Sequence, residues 1–186
     1  MPIPGAQKSG ASLRVWDLFV RIFHWSLVAG MAAAWVTSSR SDTHQWIGLL
    51  VAALVISRTI WGLFGRGHAR FASFIKGPVA VARYLQEILQ GRERRHLGHN
   101  PAGGAMIVAL IISILATTLT GWLMTTDAYY GDDTMQVTHS AFAYGVVGLI
   151  TLHIAGVALA SYRHRENLPR AMITGLKRAP TGDDIN

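Results

Sequence analysis

Crossing the hydrocarbon of a bilayer takes roughly 20 apolar residues in a helix, and this chain of 186 residues contains four such blocks. They run over 22–38, 46–64, 101–126 and 140–162. A single charge, Arg58, interrupts the second; the third carries none; the fourth is polar only at His153 and a few hydroxyls. Backbone groups in lipid must find partners within the protein, and none of these blocks alternates as barrel strands do. The expected fold is therefore all-α, an integral membrane four-helix bundle.

The connections carry the charge. Between 65 and 98 lie Arg66, Arg70, Lys76, Arg83, Arg92, Arg94 and Arg95 against Glu87 and Glu93. The tail adds Arg163, Arg165, Arg170, Lys177 and Arg178. The first connection offers only Arg40 and Asp42, and the third Asp127, Asp132 and Asp133. The positive-inside rule then puts both termini and the long middle connection in the cytoplasm of a bacterial inner membrane. The net charge of +7 thus belongs to membrane topology, and no nucleic-acid partner is expected. Trp35, Trp46 and Trp122 fall at the outer interface and Trp16, Trp25 and Trp61 nearer the inner one, as an aromatic belt would. The first block lacks a small-residue cleavage site and reads as a span rather than a signal peptide. "GPVAVARYLQEILQG" sets Pro78 at a first helical position and Val81, Leu85, Ile88 and Leu89 on one stripe, an interfacial amphipathic helix on the cytoplasmic side. The expected domain spans 14–178, with mobile ends at 1–13 and 179–186.

Buried imidazoles need partners, because an unpaired polar group in an alkane-like medium costs about 4–8 kcal/mol. His139 opens the fourth block and His153 follows fourteen residues later, about 21 Å along one helix and on roughly one face. His44 begins the second block level with His139, and His24 on the first block is level with His153. Two spaced imidazole pairs, no cysteine and no intramembrane carboxylate suit two six-coordinate haems. Zinc would want three or four close ligands at each level. Hydrogen bonding between helices is the alternative for each histidine taken alone. Gly48 and Gly156, near His44 and His153, and Gly30, Gly145 and Gly148 thin the helices for a flat macrocycle or simply for helix packing. Arg58, near the inner level, is a candidate propionate partner or a snorkelling side chain. His99 and Asn100 in "HLGHNPAGG" are candidates for propionate or quinone contact; His68 and His164 read as interfacial.

"VWDLFVRIFHWSLV", "HQWIGLLVAALVISRTIWGL" and "LGHNPAGGAM", with His139 and His153 on the last helix, resemble the prokaryotic cytochrome b561 family across nearly the whole chain. That family is related to the cytochrome b subunits of nickel–iron hydrogenases and formate dehydrogenases. The resemblance implies two haem b groups, one held by His24 and His153 on the cytoplasmic side and one by His44 and His139 on the periplasmic side. It also implies electron exchange with membrane quinone, ubiquinone or menaquinone.

The leading expectation is a dihaem electron carrier between the quinone pool and a redox partner, a periplasmic cytochrome c or a dehydrogenase, with no catalytic residue of its own. Asp127, Asp132 and Asp133 with Tyr129 and Tyr130 would steer a basic partner, or form a solvated acidic loop. One alternative is a superoxide:quinone oxidoreductase, against which the acidic outer face counts. Another is a non-redox membrane adaptor with structural histidines. The sequence leaves the oligomeric state open.

Overall fold

The computed structural model describes residues 12–39, 41–65, 67–182, 184 and 185, the side chains of Ser41 and His68 excepted. The charges expected at Arg40 and Arg66, and the mobile segment expected over 1–11, lie outside the described residues.

Four long helices dominate: α1 (Leu18–Val36), α2 (Ser41–Phe64), α5 (Pro101–Leu123) and α6 (Asp133–Arg163). All four are long and apolar enough to span a membrane. A short α3 (Phe71–Phe74) and the amphipathic α4 (Pro78–Leu89) occupy the middle connection. After α6 come α7 (Leu168–Thr174) and a strand β2 (Leu176–Arg178), which pairs with β1 (Ser12–Arg14). We call the end carrying these pieces the base and the opposite end the far end.

Side-chain caps set the helix starts. Asp17 Oδ1 accepts from the Val20 amide at 2.7 Å, and Asn100 Oδ1 accepts from Gly103 at 2.7 Å. Asp132 and Asn167 accept likewise from Met135 and Arg170. Each satisfies an amide that the helix itself cannot. Pro101 follows its cap at the first helical position, where a missing N–H costs nothing. Asp17 also links two helices, since its Oδ2 accepts from Trp61 Nε1 at 3.2 Å and ties the start of α1 to the end of α2.

The apolar blocks marked the spans, but their ends moved. α6 starts seven residues before the expected 140, because Asp132 caps a polar turn that water tolerates as helix. At 31 residues it is about 46 Å long, well beyond the roughly 30 Å hydrocarbon layer. His139 accordingly sits in its second turn rather than opening it. α2 likewise begins at Ser41, ahead of the expected 46.

α1 packs on α2, α2 on α5 and α5 on α6. Among the described residues α6 and α1 share no interface of that extent and meet at the far end through Trp35 and Tyr144, ring centres 5.7 Å apart. One layer closes the middle: Val51, Val55, Ile114 and Val146, at most 3% exposed, with Leu27, Met31 and Ile150 around them. Gly30 belongs to this packing, since a Cβ there would sit 3.0 Å from Val51 Cγ2. Along the four long helices many large apolar side chains stay exposed, Val36, Trp46 and Phe64 at 72–81% among them. Lipid can cover such a surface, and bundle helices then need only close packing to associate.

The base is clasped in a way that composition did not suggest. Ser12 and Leu13, expected in a mobile end, belong to β1, paired antiparallel with Arg178 and Lys177. The Gly175 carbonyl accepts from the Val15 amide at 2.9 Å; Gly175 itself takes φ 81°, a left-handed conformation ending α7. Trp16, expected in an interfacial belt, is instead 6% exposed beneath Ala171, with Lys177 Nζ 5.6 Å from its ring centre. The tail beyond 178 also has partners: the Ile185 amide donates to Arg95 and its carbonyl accepts from Leu97, both at 2.9 Å.

Arg95 gathers these pieces. Its guanidinium grips Glu166 bidentately, Nη2 at 2.7 Å and Nε at 3.2 Å, reaches Asp184 through Nη1 and donates to the Arg178 carbonyl. All three charged side chains are nearly buried, so removing one partner would strand a buried charge. Burial pushes the Glu166 carboxyl up, but the hydrogen bonds from Arg95 and the Arg178 amide outweigh it and hold the group below its ordinary value. A depressed carboxylate stabilises the fold above its unfolded value and loses that contribution as pH falls through the folded one. Amide protection at Leu97 and Ile185, measured by hydrogen exchange as a protection factor, should therefore hold near neutrality and fall on acidification below about 4.5. Protection that persists far into acid would show that backbone pairing alone keeps the tail in place.

Candidate haem site

One side of α2 collects His44, Gly48, Val51, Val55, Arg58 and Gly62. Steps of four, three, four, three and four residues keep them within an arc of about 80° on a 100° helix. The stripe points inward, as the burial of Val51, Val55 and Arg58 requires. His139, Val146 and His153 form the matching stripe on α6, seven residues apart.

At the far end the two stripes bring His44 and His139 together, ring centres 6.1 Å apart and planes perpendicular. Each ring is anchored through the same nitrogen. Nδ1 of His44 lies 2.9 Å from the Ala34 carbonyl oxygen, and Nδ1 of His139 lies 3.0 Å from that of Thr117. A carbonyl only accepts, so both Nδ1 atoms carry the proton and both Nε2 atoms keep a lone pair. Imidazoles that bind metals are held in this manner. With metal–nitrogen bonds of about 2 Å, two rings ligating one ion from opposite sides have centres roughly 6 Å apart. The observed spacing matches.

There is also room beside the pair. A Cβ built at half-buried Gly48, one turn from His44, would meet no atom within 4 Å, although Val51 and Val55 on the same stripe are sealed. Gly145, Gly148 and Gly156 also meet nothing, but all are exposed. Gly148 stands nine residues from His139, about half a turn round the helix and facing away from the histidines. Gly121 works in the opposite sense: a Cβ there would lie 2.9 Å from His139 Cε1, so its absence makes space for the ring.

His24 and His153 form a second pair nearer the base, close enough to interact electrostatically. His24 Nδ1 is buried with no hydrogen-bond partner, and the ring packs edge-on to Trp25, centres 5.2 Å apart. Val146, midway between the two histidine levels, places the sealed apolar layer between them. Two histidine levels with a dry layer between them suit two separate prosthetic groups, whereas no cluster of three or more His, Cys, Asp or Glu for a bare metal ion occurs among the described residues.

Arg58 turns toward the base. Its Nη2 donates to the Ala69 carbonyl at 3.1 Å and its guanidinium carbon lies 5.0 Å from the Phe71 ring centre. Nη1 is buried without a partner. His99 is bracketed by Trp16 and Phe74, ring centres 4.5 and 4.6 Å away. Asn100 is engaged as the α5 cap. Burial and the nearby Glu93 carboxylate push the Tyr84 hydroxyl up to about 12, so it stays protonated. His96 is held below its ordinary value by burial and lies against Tyr84.

Sequence reasoning missed the supporting residues Ala34, Thr117, Thr120 and Gly121. Ser113, Thr117, Thr120 and Gly121 recur at helical spacing on an otherwise aliphatic span, a polar stripe that the block's lack of charge concealed.

A membrane-spanning bundle with inward-facing imidazole pairs is the fold and donor set of a membrane cytochrome b. The profile of the prokaryotic cytochrome b561 family matches residues 15–175, and the chain belongs to that family. It is accordingly a multi-pass membrane b-type cytochrome of electron transfer that binds haem b. No curated protein matches the chain significantly.

Gly121→Ala should lower the thermal unfolding midpoint in detergent, since overpacking against a braced ring costs about 1–3 kcal/mol. Gly148→Ala should leave the midpoint unchanged or raised, because Ala is the better helix former by about 1 kcal/mol. Equal midpoints for the two variants would mean that the His139 ring is free to move.

Proposed function

We propose that the chain is a dihaem cytochrome carrying electrons across the bacterial inner membrane between the quinone pool and a redox partner. His44 and His139 hold the haem at the far end; His24 and His153 hold the one nearer the base. The observation that carries this reading is the His44–His139 pair, with both Nδ1 atoms tied to carbonyls and ring centres 6.1 Å apart. When bound, haem iron supplies a one-electron Fe(III)/Fe(II) couple. Two imidazoles holding each iron would leave it no open site for oxygen, which would favour electron transfer over oxygen chemistry.

The residues between the sites act as a barrier. Val51, Val55, Ile114 and Val146 exclude water from the layer separating the levels, so charge crosses as electrons and protons do not leak. The unpartnered Nη1 of Arg58 is the donor assigned to a propionate of the base-side haem. His99, between its two aromatic neighbours, and Asn100 beside it are assigned to the same rim, where quinone exchanges electrons. The far end faces the periplasm, and its acidic loop with exposed Tyr130 receives a basic partner such as a cytochrome c.

Pyridine haemochrome analysis of protein purified in mild detergent should count two haems per chain. His44→Ala or His139→Ala should remove one, and His24→Ala or His153→Ala the other. Retention of both haems in all four variants would overturn the ligand assignment.

The absence of cysteine makes the orientation testable. In intact cells a membrane-impermeant maleimide should label Asp127→Cys, whereas Thr181→Cys should react only after the membrane is permeabilised. Labelling in the reverse order would invert the proposed topology.

A further inference from the structure

We infer that Thr120 is a positioning residue that sets the reduction potential of the far-end haem through His139. The inference rests on the proposed ligation by that histidine.

Thr120 is buried, 9% exposed, on a span where lipid and aliphatic side chains offer a hydroxyl little else. Its Oγ1 lies 2.8 Å from the Ala116 carbonyl and 3.2 Å from Nδ1 of His139. The hydroxyl proton is taken by the backbone one turn back, so toward His139 the oxygen can only accept. The Nδ1–H is therefore shared between two acceptors, the Thr117 carbonyl at 3.0 Å and Thr120 Oγ1. The Gly121 backbone lets the edge of the ring approach closely enough to reach both. Three successive features of one helical turn thus fix tautomer, tilt and depth of the same imidazole.

This arrangement is more than an anchor. Two acceptors on one N–H draw its proton and leave the opposite nitrogen more basic, and second-sphere partners tune bound metals in this way. A more basic His139 nitrogen holding the iron would favour Fe(III) over Fe(II). Removing the hydroxyl should weaken that preference at the far-end haem and leave the other, on the far side of the sealed layer, untouched.

The test is a spectroelectrochemical titration of purified Thr120→Val, which keeps the shape and removes the oxygen. Both haems should be retained. The far-end couple should shift about threefold toward the reduced state, a rise of roughly 30 mV at ~59 mV per tenfold for one electron. Thr120→Ser should restore the original value. Thr120→Ala, which also lacks the oxygen but removes bulk, should reproduce the rise if the valine variant folds poorly. A residue that only packs would change stability in these variants without moving the potential. An unmoved potential in Thr120→Val and Thr120→Ala, with the far-end haem lost in His139→Ala, would overturn this inference and leave the ligation standing. Retention of both haems in His139→Ala would remove the ligation and this inference with it.

Discussion

An imidazole N–H in hydrocarbon needs an acceptor, and meeting that need ties neighbouring spans of the bundle together. At the far end the partners are visible. Nδ1 of His44 donates to a carbonyl on α1 and Nδ1 of His139 to one on α5. A helix carbonyl normally serves its own ladder, but its second lone pair is available to a neighbouring side chain. Each histidine thus uses an adjacent span to hold its ring. The same two bonds hold α1 against α2 and α5 against α6 where few other polar contacts exist.

The bundle separates two kinds of packing. Its middle is a small sealed layer of branched aliphatic side chains, whereas half-buried Gly48, one turn from His44, borders open space. Tight packing in that layer excludes water from the path between the levels. The open space beside Gly48 lies on the same stripe as His44. The base is a third region with different physics. Arg95, Glu166 and Asp184 form a nearly buried ionic cluster that pins the tail to the middle connection. On the proposed topology this clasp lies at the cytoplasmic surface, beneath the level of His24 and His153.

How much of this could be read in advance differs from residue to residue. The pairing of His44 with His139 followed from counting, because helical rise and bilayer thickness together convert sequence position into depth. The partner of each Nδ1 did not follow, since Ala34 is one alanine among several and contributes only its carbonyl. Thr117 and Thr120 were legible in principle as a polar stripe. Which histidine they meet depends on the rotation of α5 about its axis. Trp16 looked like an interfacial aromatic and became a buried one, because β1 and β2 fold over it. Strands of three residues, separated by some 160 positions, leave no periodic trace.

The sequence by itself determined the class of fold, the number of long apolar helices and the approach of His44 to His139. These depend on hydrophobic length and helical rise, which are properties of one helix at a time. Family membership was legible for the same reason, in motifs local to each span. Only the tertiary structure decided which carbonyl receives each imidazole proton, where clearance remains beside the rings, and how the ends close the base. Those depend on the relative rotation and approach of separate helices, settled by packing among all of them at once.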